Sequence, residues 1–387
     1  MTEPLSAQGH AASLAPVDWL PGVWKMMTSS YRVILQCTMA TAALCFVAGS
    51  FAAESKAPAK KWTMPRTADG HPDFTGFWTH ETITPLERAA QYGERKVMTT
   101  EEVQAAEKFA ADHVANADKP TDPNARIQDL PRDCGYGFTG ANCGYNNFWV
   151  DRGERVLRIN GEPRASILTD PPNGRVPAMK PEAAQRAAAE RAAFRRNAGA
   201  VDGPELRSLG ERCILSFGSN GGPPMLPNMY NNAYQFVQSG DTLVILVEMV
   251  HDARIVRMNG KPLPSSVPKW LGDSIGRWEG DTLVVETTNF HPMHTFRGAG
   301  TNRQVVEKFT RISPNEVLYQ FTVSDPNVFT KPFGGELVFN ATKEPVYEYA
   351  CHEGNYALPG ILAGARAEEN AGAKASARPV NADDDGE

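Results

Sequence analysis

Three short stretches hold the residues with the types and spacing for proton chemistry. The first runs from Glu248 through His251 and Asp252 to Arg254, the second holds Glu286, and the third is Cys351-His352-Glu353-Gly354-Asn355-Tyr356. Two carboxylates sharing a semi-apolar cavity split their pKa values, which leaves one as an acid and the other as a base. An arginine beside them holds an anionic substrate group or a developing oxyanion. A histidine titrates near neutral pH and moves protons. The candidate catalytic set is therefore Glu248, Asp252, Arg254, Glu286 and His352, with His251, Trp278, Tyr349, Glu353 and Asn355 as candidate substrate contacts. The competing reading is structural: Asp252–Arg254 or Glu248–Arg254 as an ion pair inside a barrel mouth, and His352 as a strand-end cap bonded to backbone.

Other chemistries leave weaker traces. Ser216-Phe217-Gly218-Ser219 and Ser265-Ser266 lack the GxSxG elbow of a serine nucleophile. There is no HExxH, and His291-Pro292-Met293-His294 is a poor ligand pattern, so no metal is expected. No GxGxxG or P-loop appears, and no nucleotide cofactor is expected.

Strands must position these side chains. From Tyr145 the pattern has period two, with strand candidates at 147–150, 155–159, 164–168, 232–238, 242–251, 253–258, 276–279, 282–290, 304–312, 316–324, 333–340 and 346–352. Asn160-Gly161, Ser239-Gly240-Asp241, Asn259-Gly260, Glu279-Gly280-Asp281 and Ser313-Pro314-Asn315 punctuate them as turns. Such spacing predicts antiparallel β structure, a barrel or a sandwich. Two helices accompany it. One opens at Thr99 with acids in its first turn and runs to about Val114; the other starts at Pro181 and ends in arginines. Gly240-Asp-Thr-Leu-Val recurs at Gly280, which reads as two similar hairpins of one sheet. Aligning the copies places Glu286 on the same relative face as Glu248. If the strand from 242 stays regular to 254, Glu248, Asp252, Arg254 and Glu286 converge on one cavity, while His251 faces away.

Val33 to Gly49 is an apolar run preceded by Lys25 and Arg32, and Ser50 and Ala52 fit a signal-peptidase site. The expected organisation is a signal peptide with an N-terminal extension at 1–53, a linker at 54–72, one β-rich domain at 73–366 and a disordered acidic tail at 367–387. The tail has Val380 as its one large apolar residue, too little to offset the entropy of ordering. Cys134, Cys143, Cys213 and Cys351 remain after export. An even count in an exported chain implies two disulfides. Three pairings are possible; Cys134 and Cys143 bracket a glycine-rich octapeptide, and closing that small loop would leave Cys213 for Cys351, while a zinc site is disfavoured because no CxxC pair is present. The 387 residues carry 45 acidic and 39 basic side chains, a net charge of −6, which argues against general nucleic-acid binding. With 41% hydrophobic residues the composition is globular.

Several long motifs carry a resemblance. PDFTGFW from Pro72, NNFWVDRG from Asn146, ILTDPPNGRVPAM from Ile167, Glu211-Arg212-Cys213, GPPMLPNMYNNAYQ from Gly222, EMVHDARI from Glu248, WLGDSIGRWEGDTLVVETTNF from Trp270 and YEYACHEGNYAL from Tyr347 resemble a large family of exported, mostly uncharacterised bacterial β-rich proteins. The likeness spans Trp62 to Arg366, and the HPMH stretch departs from it. It implies export and a single β-rich, lipocalin-like fold, and it supplies no catalytic residues. The combined expectation is a periplasmic or secreted protein, mainly β, with a lipocalin-like antiparallel barrel favoured and two accessory helices. It would act on a small, partly hydrophobic or aromatic molecule by cofactor-free acid–base chemistry, as an isomerase, lyase or hydrolase. The alternatives are a non-catalytic carrier of a hydrophobic ligand and a structural envelope protein. No nucleic-acid partner and no stable membrane insertion after cleavage are expected.

Overall fold

A computed structural model describes residues 62–117, 124, 150–196 and 201–370. The expected signal segment, residues 54–61 of the linker, the Cys134–Cys143 loop, 147–149 of the strand expected at 147–150 and the tail from 371 lie outside the described residues.

The elements, in order, are β1 (Gly76–Thr79), α1 (Thr100–Ala117), β2 (Arg158–Ile159), β3 (Glu162–Pro163), β4 (Leu168–Asp170), α2 (Pro181–Arg196), β5 (Ala233–Ser239), β6 (Thr242–Val247), β7 (Ala253–Met258), β8 (Asp273–Glu279), β9 (Thr282–Thr288), β10 (Gln304–Ser313), β11 (Glu316–Ser324), β12 (Phe333–Thr342) and α3 (Ala357–Asn370). Strands β1 and β5 to β12 pair in succession, and β12 returns to β1 through Phe77↔Thr342 and Thr79↔Asn340, closing a nine-stranded barrel. Closure leaves the ring no free edge. β4 adds to β12 at Gly334 and Gly335.

Inward positions alternate as the pleat demands. Leu243, Ile245 and Val247 of β6 are buried, while Thr242, Val244 and Leu246 between them are half-buried. Rings fill the centre: Phe339 lies 5.1 Å from Tyr234, 5.5 Å from Phe236 and 5.5 Å from Tyr319, measured between ring centres. Hairpin turns at Gly240, Gly280 and Asn315 mark one end of the barrel. Gly240 and Gly280 have φ of 56° and 62°, which is why glycine recurs there. The longer loops, including 248–252, 289–303 and 325–332, gather at the other end.

Several expectations change. β7 and β8 pair in parallel, Val256↔Ser274, so Asn259-Gly260 opens a loop that returns along the barrel instead of joining a hairpin. β6 stops at Val247. The 346–352 segment forms no strand: β12 already has β11 on one side and β1 and β4 on the other, and no edge remains for it. A third helix, α3, follows, and it takes in 367–370 of the segment expected as tail. The Asn160-Gly161 hairpin is present but short. No described helix is long and apolar enough to cross a membrane.

Candidate functional site

The loop-bearing end of the barrel is organised by a five-residue strap, Glu248 to Asp252. Glu248 is in the right-handed helical region, Val250 and His251 are left-handed (φ 57° and 46°), and Asp252 is extended. The Val247 N–H donates to the Asp252 carbonyl (2.7 Å), and the Glu248 N–H donates to the Ala233 carbonyl (3.0 Å). The strap resets the strand parity. Arg254 pairs with Ile245 and points inward, although regular alternation from 242 would place it with outward Val244.

Met249 and Val250 are buried with Cys213 in a small second core, packed by Tyr230, Tyr349 and Cys351. The Cys213–Cys351 disulfide pins this core, with Cα atoms 5.7 Å apart across 138 residues of sequence. Stretches far apart in the chain, Glu211–Cys213, Tyr230–Asn232, Glu248–Arg254 and Tyr349–Asn355, are thereby collected at one mouth. This bond is one of the pairings left open by the even cysteine count, the one that follows if Cys134 and Cys143 close their own loop.

Carboxyl groups crowd this mouth. Asp151 reaches it from the segment leading to β2, and its N–H donates to the Met229 carbonyl (2.9 Å). Its pKa is pushed up to about 8 by burial and by the hydrogen bond and charge of Glu81, and the charge of Glu248 acts in the same direction. Glu81 is two residues past β1. Gly153, at φ +76°, fits against it: a Cβ there would lie 2.9 Å from the Glu81 Cγ, so a side chain at 153 would displace the acid. Glu248 accepts a hydrogen bond from the Asn231 amide (2.9 Å), and partial burial raises its pKa. Asp252 is 8% exposed. Burial lifts its pKa to about 7, opposed by the Ser216 N–H that donates to Oδ2 (3.1 Å). Gly221 packs on that carboxyl, with room for no side chain: a Cβ would stand 2.8 Å from Oδ2.

The other expected site residues divide. His251, His352 and Glu353 are exposed at the rim. Asn355 is structural: its amide donates to the Glu211 carbonyl (2.7 Å), and its oxygen accepts from the Leu358 N–H (3.2 Å), capping α3. Tyr349 packs on the small core. Glu286 is on the outer wall, paired with Arg277 at 2.6 Å. The face shared in the repeat alignment does not bring Glu248 and Glu286 together, because Glu286 stays on the outer face of β9 while Glu248 lies past the end of β6 in the strap. Trp278 points inward at the hairpin end, away from the carboxyl groups.

Arg254 belongs to a network in the barrel interior. Its guanidinium clasps Glu307 at 2.6 and 2.9 Å, both side chains being essentially inaccessible. The Tyr319 hydroxyl donates to the same carboxylate (2.8 Å) and accepts from the Met225 N–H (2.8 Å). The Ser274 and Thr287 hydroxyls bond each other at 2.9 Å beside the guanidinium. Near them the Tyr234 hydroxyl donates to the Asn220 carbonyl (3.0 Å) and meets His80 Nε2 at 2.7 Å. With its proton so used, the hydroxyl accepts from Nε2, which assigns the proton of His80 to that nitrogen and leaves Nδ1 bare. Burial lowers the His80 pKa to about 3, so the ring is neutral.

Sequence reasoning missed Glu81, Asp151, His80 and Glu307. A signal existed for Glu307, which shares the apolar face of β10 with Val305 and Phe309. Among the described residues no group of three or more histidine, cysteine or acidic side chains is arranged to hold a metal ion. Compared with family models and with curated proteins, the chain matches none.

Proposed function

We propose that the loop-bearing mouth is an acid–base site for a small, partly hydrophobic molecule, acting without a cofactor. The observation that carries this reading is the Glu81–Asp151 carboxyl pair beside Glu248. A carboxyl group that keeps its proton near neutral pH is a proton donor, and a neighbouring carboxylate is the matching base. Asp151 takes the first role, and Glu248, oriented by the Asn231 amide, takes the second. Asp252, with a pKa near 7, is a further proton reservoir at the floor. His251 and His352 stand at the rim, where an imidazole relays protons to solvent. Tyr230 and Tyr349 supply the apolar wall. Isomerisation, elimination and hydrolysis all use this pair of functions.

Arg254 and Glu286 leave the proposed machinery, because one is bound to Glu307 in the interior and the other lies on the outer wall. The carrier alternative needs an interior hollow where Tyr234, Phe236, Tyr319 and Phe339 meet as packed rings. Export is part of the proposal, supported by the disulfide, which persists in oxidising compartments.

The test incubates wild-type protein and the Asp151→Asn and Glu248→Gln variants with a pooled bacterial small-molecule extract and follows each compound by mass spectrometry. At least one compound should be converted by wild type and spared by both variants while their thermal midpoints stay close to wild type. Equal conversion by all three proteins, or conversion by none, ends the assignment.

A further inference from the structure

The opposite end of the barrel carries a cavity that the acid–base reading does not use. Its volume is about 160 Å³, and its apolar walls are Leu243, Met258, Leu283 and Trp278. Leu243 and Leu283 belong to the inward faces of β6 and β9, so the cavity opens on the bottom of the core. A cavity of roughly 150 Å³ is large enough for a single benzene ring, and here the wall is mixed, with Thr67, Gln238 and Thr242 beside the apolar side chains.

The wall chemistry narrows the class of occupant. Trp278 is parallel to His71 (4.7 Å between ring centres) and to Phe74 (5.8 Å), each at an interplanar angle of 4°, and it stays half-buried beside the cavity. An aromatic wall of this kind favours flat, conjugated surfaces. His71 is held by a small loop, in which the Thr67 N–H donates to the His71 carbonyl (2.9 Å) and the Gly70 N–H to the Thr67 carbonyl (2.9 Å). Arg66 ties the loop to the barrel through Asp281 at 2.9 Å. Polar groups on the wall are unequal. Gln238 is committed at both ends, accepting from the Phe74 N–H and donating to the Pro72 carbonyl. Asp69 also lines the cavity, and its carboxylate takes part in no hydrogen bond or ion pair with the described residues. A free carboxylate at the edge of a ring-sized cavity of mixed polarity selects a ring that bears a donor.

We propose that this hairpin-end cavity binds a single aromatic ring carrying a protonated amine or other hydrogen-bond donor, with the ring against Trp278 and the donor on Asp69. The site is separate from the carboxyl mouth, and it gives Trp278 a ligand role at a different place from the one its sequence neighbourhood suggested.

The test is calorimetric titration of the full-length protein with benzylamine, benzoate and cyclohexylamine. Benzylamine should bind, benzoate should be weaker by about tenfold or more because Asp69 repels it and offers it no donor, and cyclohexylamine should be weaker because it lacks a flat ring. Asp69 is exposed, so Asp69→Asn leaves the fold intact; it should bring benzylamine and benzoate to within about threefold of each other. Trp278→Leu should remove the preference for benzylamine over cyclohexylamine. The proposal is overturned if benzylamine does not bind, if Asp69→Asn leaves the amine-to-carboxylate ratio unchanged, or if Trp278→Leu, confirmed as folded, keeps the aromatic preference.

Discussion

Asp252 and two histidines, the buried His80 and the half-buried His294, make opposite demands on the folded state. A carboxyl group whose pKa rises from 3.8 to about 7 on folding favours its protonated form, so its cost to stability is absent below the unfolded value and complete above the folded one. Asp151, raised to about 8, acts in the same direction. His80 and His294 are lowered to about 3 and about 4, and each costs stability as pH falls below 6.5. Wild-type stability should therefore rise as pH is lowered from about 9 to about 6.5, then level off as the histidine cost offsets the carboxyl gain. Asp252→Asn keeps an acceptor for the Ser216 N–H and removes the ionisation. It should stabilise the protein by on the order of 2 kcal/mol near pH 9 and by little near pH 4. Chemical denaturation across that range measures it; a constant difference between variant and wild type would show that the carboxyl is not held in its neutral form. The residue pattern carried a signal that Arg254 and Glu307 are buried, since each shares a strand face with buried valines or phenylalanine, although the sequence reading did not take up Glu307. Which charge meets which was not legible, because it depends on where the strap lets β7 restart.

At the scale of the element, the strap explains why the mouth was harder to read than the strands. The hairpin turns were legible because glycine and asparagine sit where left-handed backbone is needed, as at Gly240 and Gly280. Glu248-Met-Val-His-Asp contains neither, and it follows the apolar run of β6 with no proline, glycine or asparagine to break it, so it reads as strand. Two consecutive residues without glycine take the left-handed conformation here, and Val250, being β-branched, is an uncommon choice for it. Such strain concentrates where function needs a backbone fixed in one geometry. Packing of Met249 and Val250 beneath the disulfide supplies the compensating energy. His251 separates the two contributions, because its side chain is exposed and little packing is lost with it. His251→Gly should raise stability by about 0.5–1 kcal/mol, since glycine adopts φ near 46° without steric cost. A fall in the denaturation midpoint would mean that the imidazole makes a contact outweighing the strain. The helix α3 was illegible for a related reason: Pro359, Gly360 and Gly364 are weak helix formers, and its Asn355 cap and its attachment through Cys351 hold it in place of intrinsic propensity.

For the molecule as a whole, the barrel and the mouth are stabilised by different means. The barrel closes on itself through β12 and β1, with its rings packed inside, and needs no covalent help to define its ring of hydrogen bonds. The mouth is assembled from loops and from the segment after β12, joined by the bond between Cys213 and Cys351. A cross-link closing 138 residues removes entropy from the unfolded chain worth about 5 kcal/mol in the loop-closure account. Changing both cysteines to serine should thus lower global stability by a few kcal/mol, roughly 2–5. The structural consequence should be uneven. Tyr349 and Cys351 cover Met249 and Val250, so releasing the segment uncovers the strap, while Tyr234, Phe309 and Phe339 keep their neighbours. Amide hydrogen exchange on the double variant should show protection lost at 208–215, 248–252 and 349–356, with the barrel strands β9 to β12 slowed as in wild type. Uniform loss across barrel and mouth would place the two in one cooperative unit. The strap would then be held by the same interactions as the strands, and the disulfide would be a general staple with no particular bearing on the carboxyl-lined mouth.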